Sequence, residues 1–277
     1  MQTSNAPVYS AKTLDEALRL RADHPEATIL AGGTDVMVFL EAGTIHPTSV
    51  IDIWGCAGLR GIIEDEASGA LQIGALTTWT DIVHHAGVPD ALRECARTVG
   101  AIQIQNRATV GGNIVNASPA GDSLPLWLAM DAQFEVGSQR GRRMVPAADF
   151  WTGYRAVDMA ADELLITVHV DGMDRDHLHY RKVGTRLAQA ISKVVLGGRI
   201  RVEDGVVTEA RLALGSVAPV PVRLLSVEAA LTGSPIDPSA ADKVAQDITP
   251  IDDIRSTAHY RSQVATRIVR SWLESLA

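Results

Sequence analysis

The chain has 277 residues, with 25 Lys and Arg against 33 Asp and Glu, 46% hydrophobic content and 21% charged content. That length holds more than one small core, and the composition is that of a folded protein rather than a disordered one. A net charge of −8 argues against general binding to nucleic-acid backbones, and no apolar run approaches the roughly 20 residues that cross a bilayer.

In chain order, Thr13-Leu14-Asp15-Glu16 reads as a capping box with Thr13 at the N-cap, opening a helix that stops before Pro25. Ala27 to Leu30 is a short apolar strand that runs into Ala31-Gly32-Gly33-Thr34-Asp35. Val36 to Leu40 then reads as a buried helix closed by Gly43. A strand at Ser49 to Ile53 completes a small α/β unit ending near residue 55. A hairpin pairing 61–63 with 70–74 opens a second unit, followed by helices around Trp79 to His85 and Pro89 to Val99. Strands around Gln133 to Val136, Arg142 to Val145 and Glu163 to Val170 complete it. The polar run Asp171 to Asp176 is the expected linker. Beyond it, Lys193 to Val202 and Val206 to Leu214 flank Glu203-Asp204-Gly205 as an antiparallel hairpin. A final helix places Tyr260, Val264, Ile268, Trp272 and Leu276 at steps of four, one apolar stripe for packing on a sheet.

Two features carry possible chemistry. At Ala31-Gly32-Gly33-Thr34-Asp35 a strand feeds a Gly-Gly turn and a helix, which offers unpaired amides and a helix dipole to an anion without needing a cation. The second feature, Thr109-Val110-Gly111-Gly112-Asn113, repeats the pattern, so the two suit a dinucleotide clamped between two units. The glycines are expected to let backbone close on the ligand. Neither is a P-loop, and the Rossmann G-x-G-x-x-G string is absent.

Gly121-Asp122-Ser123-Leu124 matches the GDSL string of a class of serine esterases, and Asp174-Arg175-Asp176-His177 supplies an Asp-x-x-His. Their order along the chain is wrong for that triad. His177 and His179 share a strand face with no third ligand near in sequence, which reads as a surface pair. Cys56 and Cys95 form no Cys-x-x-Cys or Cys/His cluster, so a four-cysteine iron–sulfur or zinc site is excluded on this chain alone. Unclustered cysteines and an N-terminus without a basic-then-apolar leader set a cytoplasmic expectation.

Taken together, 31–35, the string Gln103-Ile104-Gln105-Asn106-Arg107-Ala108 running into 109–113, and Ala117-Ser118-Pro119-Ala120-Gly121-Asp122-Ser123-Leu124-Pro125 resemble the FAD-binding subunit of molybdenum hydroxylases. That family includes xanthine and carbon monoxide dehydrogenases. The resemblance continues through Tyr180 to Gly184, Ala190 to Val194, and Pro250 to Arg255, covering essentially the whole chain.

It implies an α+β fold: a two-lobed FAD-binding domain of the p-cresol methylhydroxylase type over 1–175, with lobes of about 1–55 and 56–175. A small C-terminal α+β domain over 176–277 would carry a three-stranded antiparallel sheet with helices. It implies that Ile29, Leu30, Ala31, Gly32, Gly33, Thr34, Asp35 and Val36 hold the FAD pyrophosphate through backbone amides. Thr109, Val110, Gly111, Gly112 and Asn113 would form the facing clamp, Asp122 a polar anchor, and Leu164 and Lys182 further contacts. Val99 stands where some members carry an aromatic, and Gln105 replaces a usual arginine.

The implied activity is that of an oxidoreductase subunit without catalytic acid or base or metal of its own. It would relay electrons from 2Fe–2S centres on a small partner subunit to an external acceptor such as NAD or a quinone. A large partner subunit would carry the molybdopterin cofactor. The competing expectation is a stand-alone FAD-dependent oxidase or reductase of similar fold.

Overall fold

Thr13 closes its capping box: its Oγ1 accepts the Glu16 amide at 3.2 Å, and Glu16 Oε2 accepts the Thr13 amide in return. The computed structural model describes residues 6–173 and 176–277. Helix α1 (Leu14–Asp23) follows β1 (Val8–Ser10) and leads into β2 (Thr28–Leu30), α2 (Val36–Glu41) and β3 (Val50–Asp52). The strands are parallel in the order β1-β3-β2, so β2 is an edge strand and the first Gly-Gly loop leaves from its end. Gly43, at φ 64°, closes α2 as expected, with the Thr44 amide reaching back to the Phe39 carbonyl.

The expectation of a buried helix at 36–40 fails. No residue of α2 is buried, and Met37 and Val38 are each 59% exposed. A three-stranded unit has too little surface to cover both sides of a short helix at its rim. The apolar run turns Val36, Val38 and Phe39 toward a cavity instead.

The second unit carries β4 (Ile62–Asp65), β5 (Ala70–Gly74), α3 (Trp79–His84), α4 (Asp90–Thr98), α5 (Ile102–Gln105), α6 (Val110–Asn116) and α7 (Leu124–Ala129). It continues through β6 (Gln133–Ser138), β7 (Gly141–Pro146), α8 (Ala147–Phe150), β8 (Trp151–Gly153), β9 (Ala156–Val157) and β10 (Leu164–Val170). Its five-stranded sheet runs β4-β5-β10-β6-β7, antiparallel throughout, with the hairpin β4–β5 paired as the sequence predicts. The core beneath it is closed by Phe134, Phe150 and Trp151, which meet edge to face.

The C-terminal sheet has four antiparallel strands rather than the expected three: β11 (Asp176–Val183), β12 (Val194–Glu203), β13 (Val206–Gly215) and β14 (Val222–Arg223). The fourth has two residues, too short to carry a period-2 pattern. The β12–β13 turn has Asp204 and Gly205 at φ 51° and 77°, the positive pair that a tight hairpin of this twist demands. Helix α9 (Leu225–Leu231), a 3₁₀ stretch at Pro238–Gln246 and α10 (Ala258–Leu276) cover one face.

The buried seam of α10 is Arg261, Ala265, Val269, Trp272 and Leu273, one step from the predicted stripe. Tyr260 stands 40% exposed, and Val264 and Ile268 flank the seam. Arg261 displaces the stripe because its guanidinium is needed inside, where it donates to the Ser216 and Lys193 carbonyls and to Asp253. His179 likewise departs from a surface pair: it stacks on Trp272 with ring centroids 5.0 Å apart, while His177 stays exposed. Part of the expected linker, Asp174 and Arg175, lies outside the described residues.

Candidate functional site

A cavity of about 900 Å³ opens between the two N-terminal units, at the upper end of the size range for ligand sites. Edge strand β2 and the loop after it form one wall, through Ile29, Ala31, Gly32, Gly33, Thr34, Asp35 and Val36. The opposite wall takes Thr109, Gly111, Gly112 and Asn113 from the start of α6, Asp122 from the loop before α7, and Leu164 from the start of β10. Three predicted residues stand apart from the lining. Leu30 gives its carbonyl to the Ile53 amide, Val110 is fully buried in the core, and Lys182 lies behind Asp122.

The loop at 31–36 has the property expected of it. Among the described residues, no protein acceptor takes the amides of Gly32, Gly33, Thr34, Asp35 or Val36, so these donors are left for a ligand or solvent. The loop at 109–113 does not share that property. Val110 donates to the Thr77 carbonyl at 2.9 Å, Gly111 to the Ala75 carbonyl at 2.8 Å, Gly112 to Thr109 Oγ1 at 3.0 Å and Asn113 to the Thr109 carbonyl at 3.1 Å. Thr109 is a helix N-cap, and the amides read as a nest are already used inside the protein.

Two of the glycines have a role inside the protein itself. A Cβ on Gly32 would lie 1.8 Å from the Arg107 carbonyl oxygen, and one on Gly111 would lie 2.7 Å from Ala75 Cβ. Both absences let one backbone segment approach another: Gly32 seats the first loop on the second unit, and Gly111 seats α6 on the end of β5. Polar contacts reinforce the first seam. Asn116 Nδ2 donates to Asp35 Oδ2 at 2.9 Å, Arg155 donates to Asn116 Oδ1 at 3.0 Å, and Arg155 stands over the Phe39 ring.

At the far side, Lys182 Nζ crosses from β11 to donate to Asp122 Oδ2 at 2.7 Å and to the Thr98 carbonyl at 2.9 Å. Only 9% of the Lys182 side chain and 12% of that of Asp122 is exposed. Burial pushes the Asp122 carboxyl upward against the opposing pull of the Lys182 ammonium. Asp122 Oδ1 is buried without a partner on a residue that lines the cavity.

The esterase reading finds no support. Ser123 is fully buried, its Oγ donating to Asn113 and accepting from Trp127, and both Asp176 oxygens are taken by Arg199 and Arg201. Asp174 lies outside the described residues.

Residues 2–170 match the family model of the FAD binding domain in molybdopterin dehydrogenase. The chain belongs to that family. Residues 179–276 match the C-terminal domain of CO dehydrogenase flavoprotein. The xanthine dehydrogenase FAD-binding subunit of Escherichia coli O157:H7 is 35% identical over 266 residues, covering 92% of this chain and 90% of that protein. The carbon monoxide dehydrogenase medium chain of Hydrogenophaga pseudoflava is 28% identical over 96% of this chain and 95% of its own length. The solved carbon monoxide dehydrogenase of that organism, in a form lacking the Mo-pyranopterin moiety of its molybdenum cofactor, superposes with a TM-score of 0.93. That match covers 98% of this chain and 96% of the other, at 28% identity. The chain is thus a FAD-binding flavoprotein subunit of the molybdenum hydroxylases, which are oxidoreductases.

The residues of this family member fit FAD. The loop at 31–36 offers five free amides for a diphosphate, the cavity is large and mostly apolar, and Asp122 Oδ1 is an acceptor awaiting a donor. Several lining residues carry no sequence motif: Arg21 on the inward face of α1, one turn beyond the buried Ala17 and Leu18, Met159 to Ala161 before β10, and Gln189 at φ 50°. Only the fold brings them to the cavity. Val99 lines it with an aliphatic side chain.

Proposed function

We propose that this chain holds FAD in the cavity between its two N-terminal units and serves as the electron-relay subunit of a heteromeric molybdenum hydroxylase. The observation that carries the reading is the run of free amides from Gly32 to Val36 on the cavity wall. These donors, with the positive end of α2 behind them, would hold the pyrophosphate of FAD although the chain is acidic overall. Thr109, Gly111, Gly112 and Asn113 would bound the cofactor from the other side as a rigid wall, without donating their amides. Asp122 would accept a ring N–H through Oδ1, and Lys182 would keep that carboxylate in place. Leu164 and Ile29 would exclude water along the apolar walls.

Bound there, FAD supplies a centre that takes electrons singly and passes them on in pairs, which suits a relay between one-electron clusters and an external acceptor such as NAD or a quinone. A small 2Fe–2S subunit and a large molybdopterin subunit would be the partners. Two unclustered, buried cysteines fit a division of labour in which any iron–sulfur centre belongs to another chain. We read the domain division as 1–175, in two lobes of the p-cresol methylhydroxylase type, and 176–277. Among the described residues no helix is long and apolar enough to cross a membrane.

Purification of the chain with its neighbours tests this. The expected result is one FAD per chain, retained with an iron–sulfur polypeptide and a large molybdenum polypeptide, and reduced when the complex is given its substrate. A chain that neither retains nor rebinds FAD would contradict the reading. Turnover by the isolated flavoprotein at the rate of the complex would favour the stand-alone enzyme.

A further inference from the structure

Arg21 lines the cavity at the start of β2, whereas the free amides follow the strand's other end, and no carboxylate among the described residues forms an ion pair with it. Its Nη1 donates to the Ala27 carbonyl at 2.8 Å, its Nε is buried without a partner, and no carboxylate lies within ion-pair distance among the described residues. The nearest carboxylate neighbours are engaged or displaced. Asp162 is held by Arg140 at 2.6 Å, and Glu26 reaches toward His24. Burial pulls the Arg21 guanidinium below its ordinary range, and these two carboxylates only partly offset that. A half-buried guanidinium with one acceptor and no carboxylate at ion-pair distance, its Nε buried and unbonded, is what a ligand-facing arginine looks like before its ligand arrives.

The surroundings identify the ligand part. Ala27 and Ile29 on the β2 side and Met159, Ala160 and Leu164 from the second unit line the same cavity as Arg21, an apolar surround apart from Glu163, whose carboxylate is taken by Arg143. The guanidinium is planar, stacks on aromatic rings and donates to ring nitrogens and hydroxyls, which suits a nucleobase with its ribose. Strand β2 separates this part of the cavity from the Gly-Gly loop by three extended residues, a rise of about 10 Å. A base at one end of β2 and a diphosphate at the other is the layout of an adenosine diphosphate moiety.

We propose that Arg21 is the contact for the adenine end of the cofactor and that it sets the preference for a dinucleotide over a mononucleotide flavin. The proposal rests on the FAD reading above.

The test uses the full chain stripped of flavin, with FAD and FMN titrated by fluorescence and FMN read by competition where it binds weakly. In Arg21→Met, which keeps length and apolar contact, the ratio of FAD to FMN affinity is expected to fall by tenfold or more. The melting temperature of the flavin-free chain should stay within a few degrees of wild type, and Arg21→Lys should recover part of the ratio. An unchanged ratio overturns the proposal, whether both affinities hold or both fall together, the latter marking a purely structural role for the bond to Ala27. Wild-type chain that binds no flavin removes the FAD reading and the proposal with it. Wild-type FAD binding with an unchanged ratio in Arg21→Met removes the proposal alone.

Discussion

The segments at 31–36 and 109–113 share a Gly-Gly pair and a threonine; the first leads into a short helix and the second opens one, across the same cavity. Their backbones are in opposite states. In the first, five successive amides have no acceptor in the described protein; in the second, four successive amides are all bonded inside it. The difference arises from neighbours rather than from the strings. The first loop leaves an edge strand with no further strand beside it in its sheet, whereas the second is pinned between Ala75, Thr77 and its own N-cap Thr109. A Gly-Gly turn is therefore not a binding element in itself. It becomes one only where the fold leaves its donors unmatched.

The largest expected effect separates the two glycines that make these loops possible. In Gly32→Val the new side chain meets the Arg107 backbone, which cannot move away as a flexible side chain would, so FAD binding should be lost and stability should fall by about 3 kcal/mol. Gly111→Ala presses on Ala75 and should cost about 2 kcal/mol in stability, with FAD affinity held within a few-fold. Denaturant unfolding and flavin titration of both variants check this. Loss of FAD from a Gly111→Ala protein of normal stability would break the comparison.

Next in size is the pair that supports the far wall. Lys182→Met leaves the Asp122 carboxylate buried without its cation and should destabilise the chain by about 3 kcal/mol. The double variant with Asp122→Asn should be more stable than Lys182→Met alone, because no unpaired charge then remains. Without Lys182 the Asp122 carboxyl moves further up, so residual FAD affinity should weaken as the pH is lowered, starting from a higher pH than in wild type.

A third test lies away from both loops and calibrates them. Burial, reinforced by the Arg181 charge, holds the His179 imidazole down at about 4, below the ordinary 6.5. The unfolded chain therefore takes up a proton that the folded chain refuses. Stability present above pH 6.5 should decline as the pH falls toward 4, by up to about 3 kcal/mol. His179→Phe should flatten that slope in urea melts run across the window. An unaltered slope would assign the pH dependence to other groups.

Much of the fold was legible because it rests on local signals. The capping box at Thr13, the Asp204-Gly205 turn and the β4–β5 hairpin each follow from residues a few positions apart. What was not legible depends on distant contacts. The apolar string of α2 looks like core until its position on a rim is known, and the seam of α10 shifts by one because Arg261 answers carbonyls some 45 and 68 residues away. At the site, the Gly-Gly strings located both walls, but the sequence could not distinguish free amides from bonded ones. Arg21 was invisible for a similar reason: an arginine in the last turn of a helix is ordinary until the fold shows that no carboxylate among the described residues reaches ion-pair distance of it.

The smallest effect concerns Thr109 alone. Thr109→Val keeps the shape but removes the acceptor for the Gly112 amide, and should cost about 1 kcal/mol with FAD affinity unchanged within a factor of two or three. A larger loss of affinity than of stability would show that the second loop also serves the ligand through its backbone.

Hydrogen exchange read by mass spectrometry on the flavin-free chain, before and after adding FAD, tests the central claim most directly. The amides from Gly32 to Val36 should exchange fast without FAD and become strongly protected with it, while those from Val110 to Asn113 are protected in both states. Equal exchange at 32–36 with and without bound FAD would contradict the account.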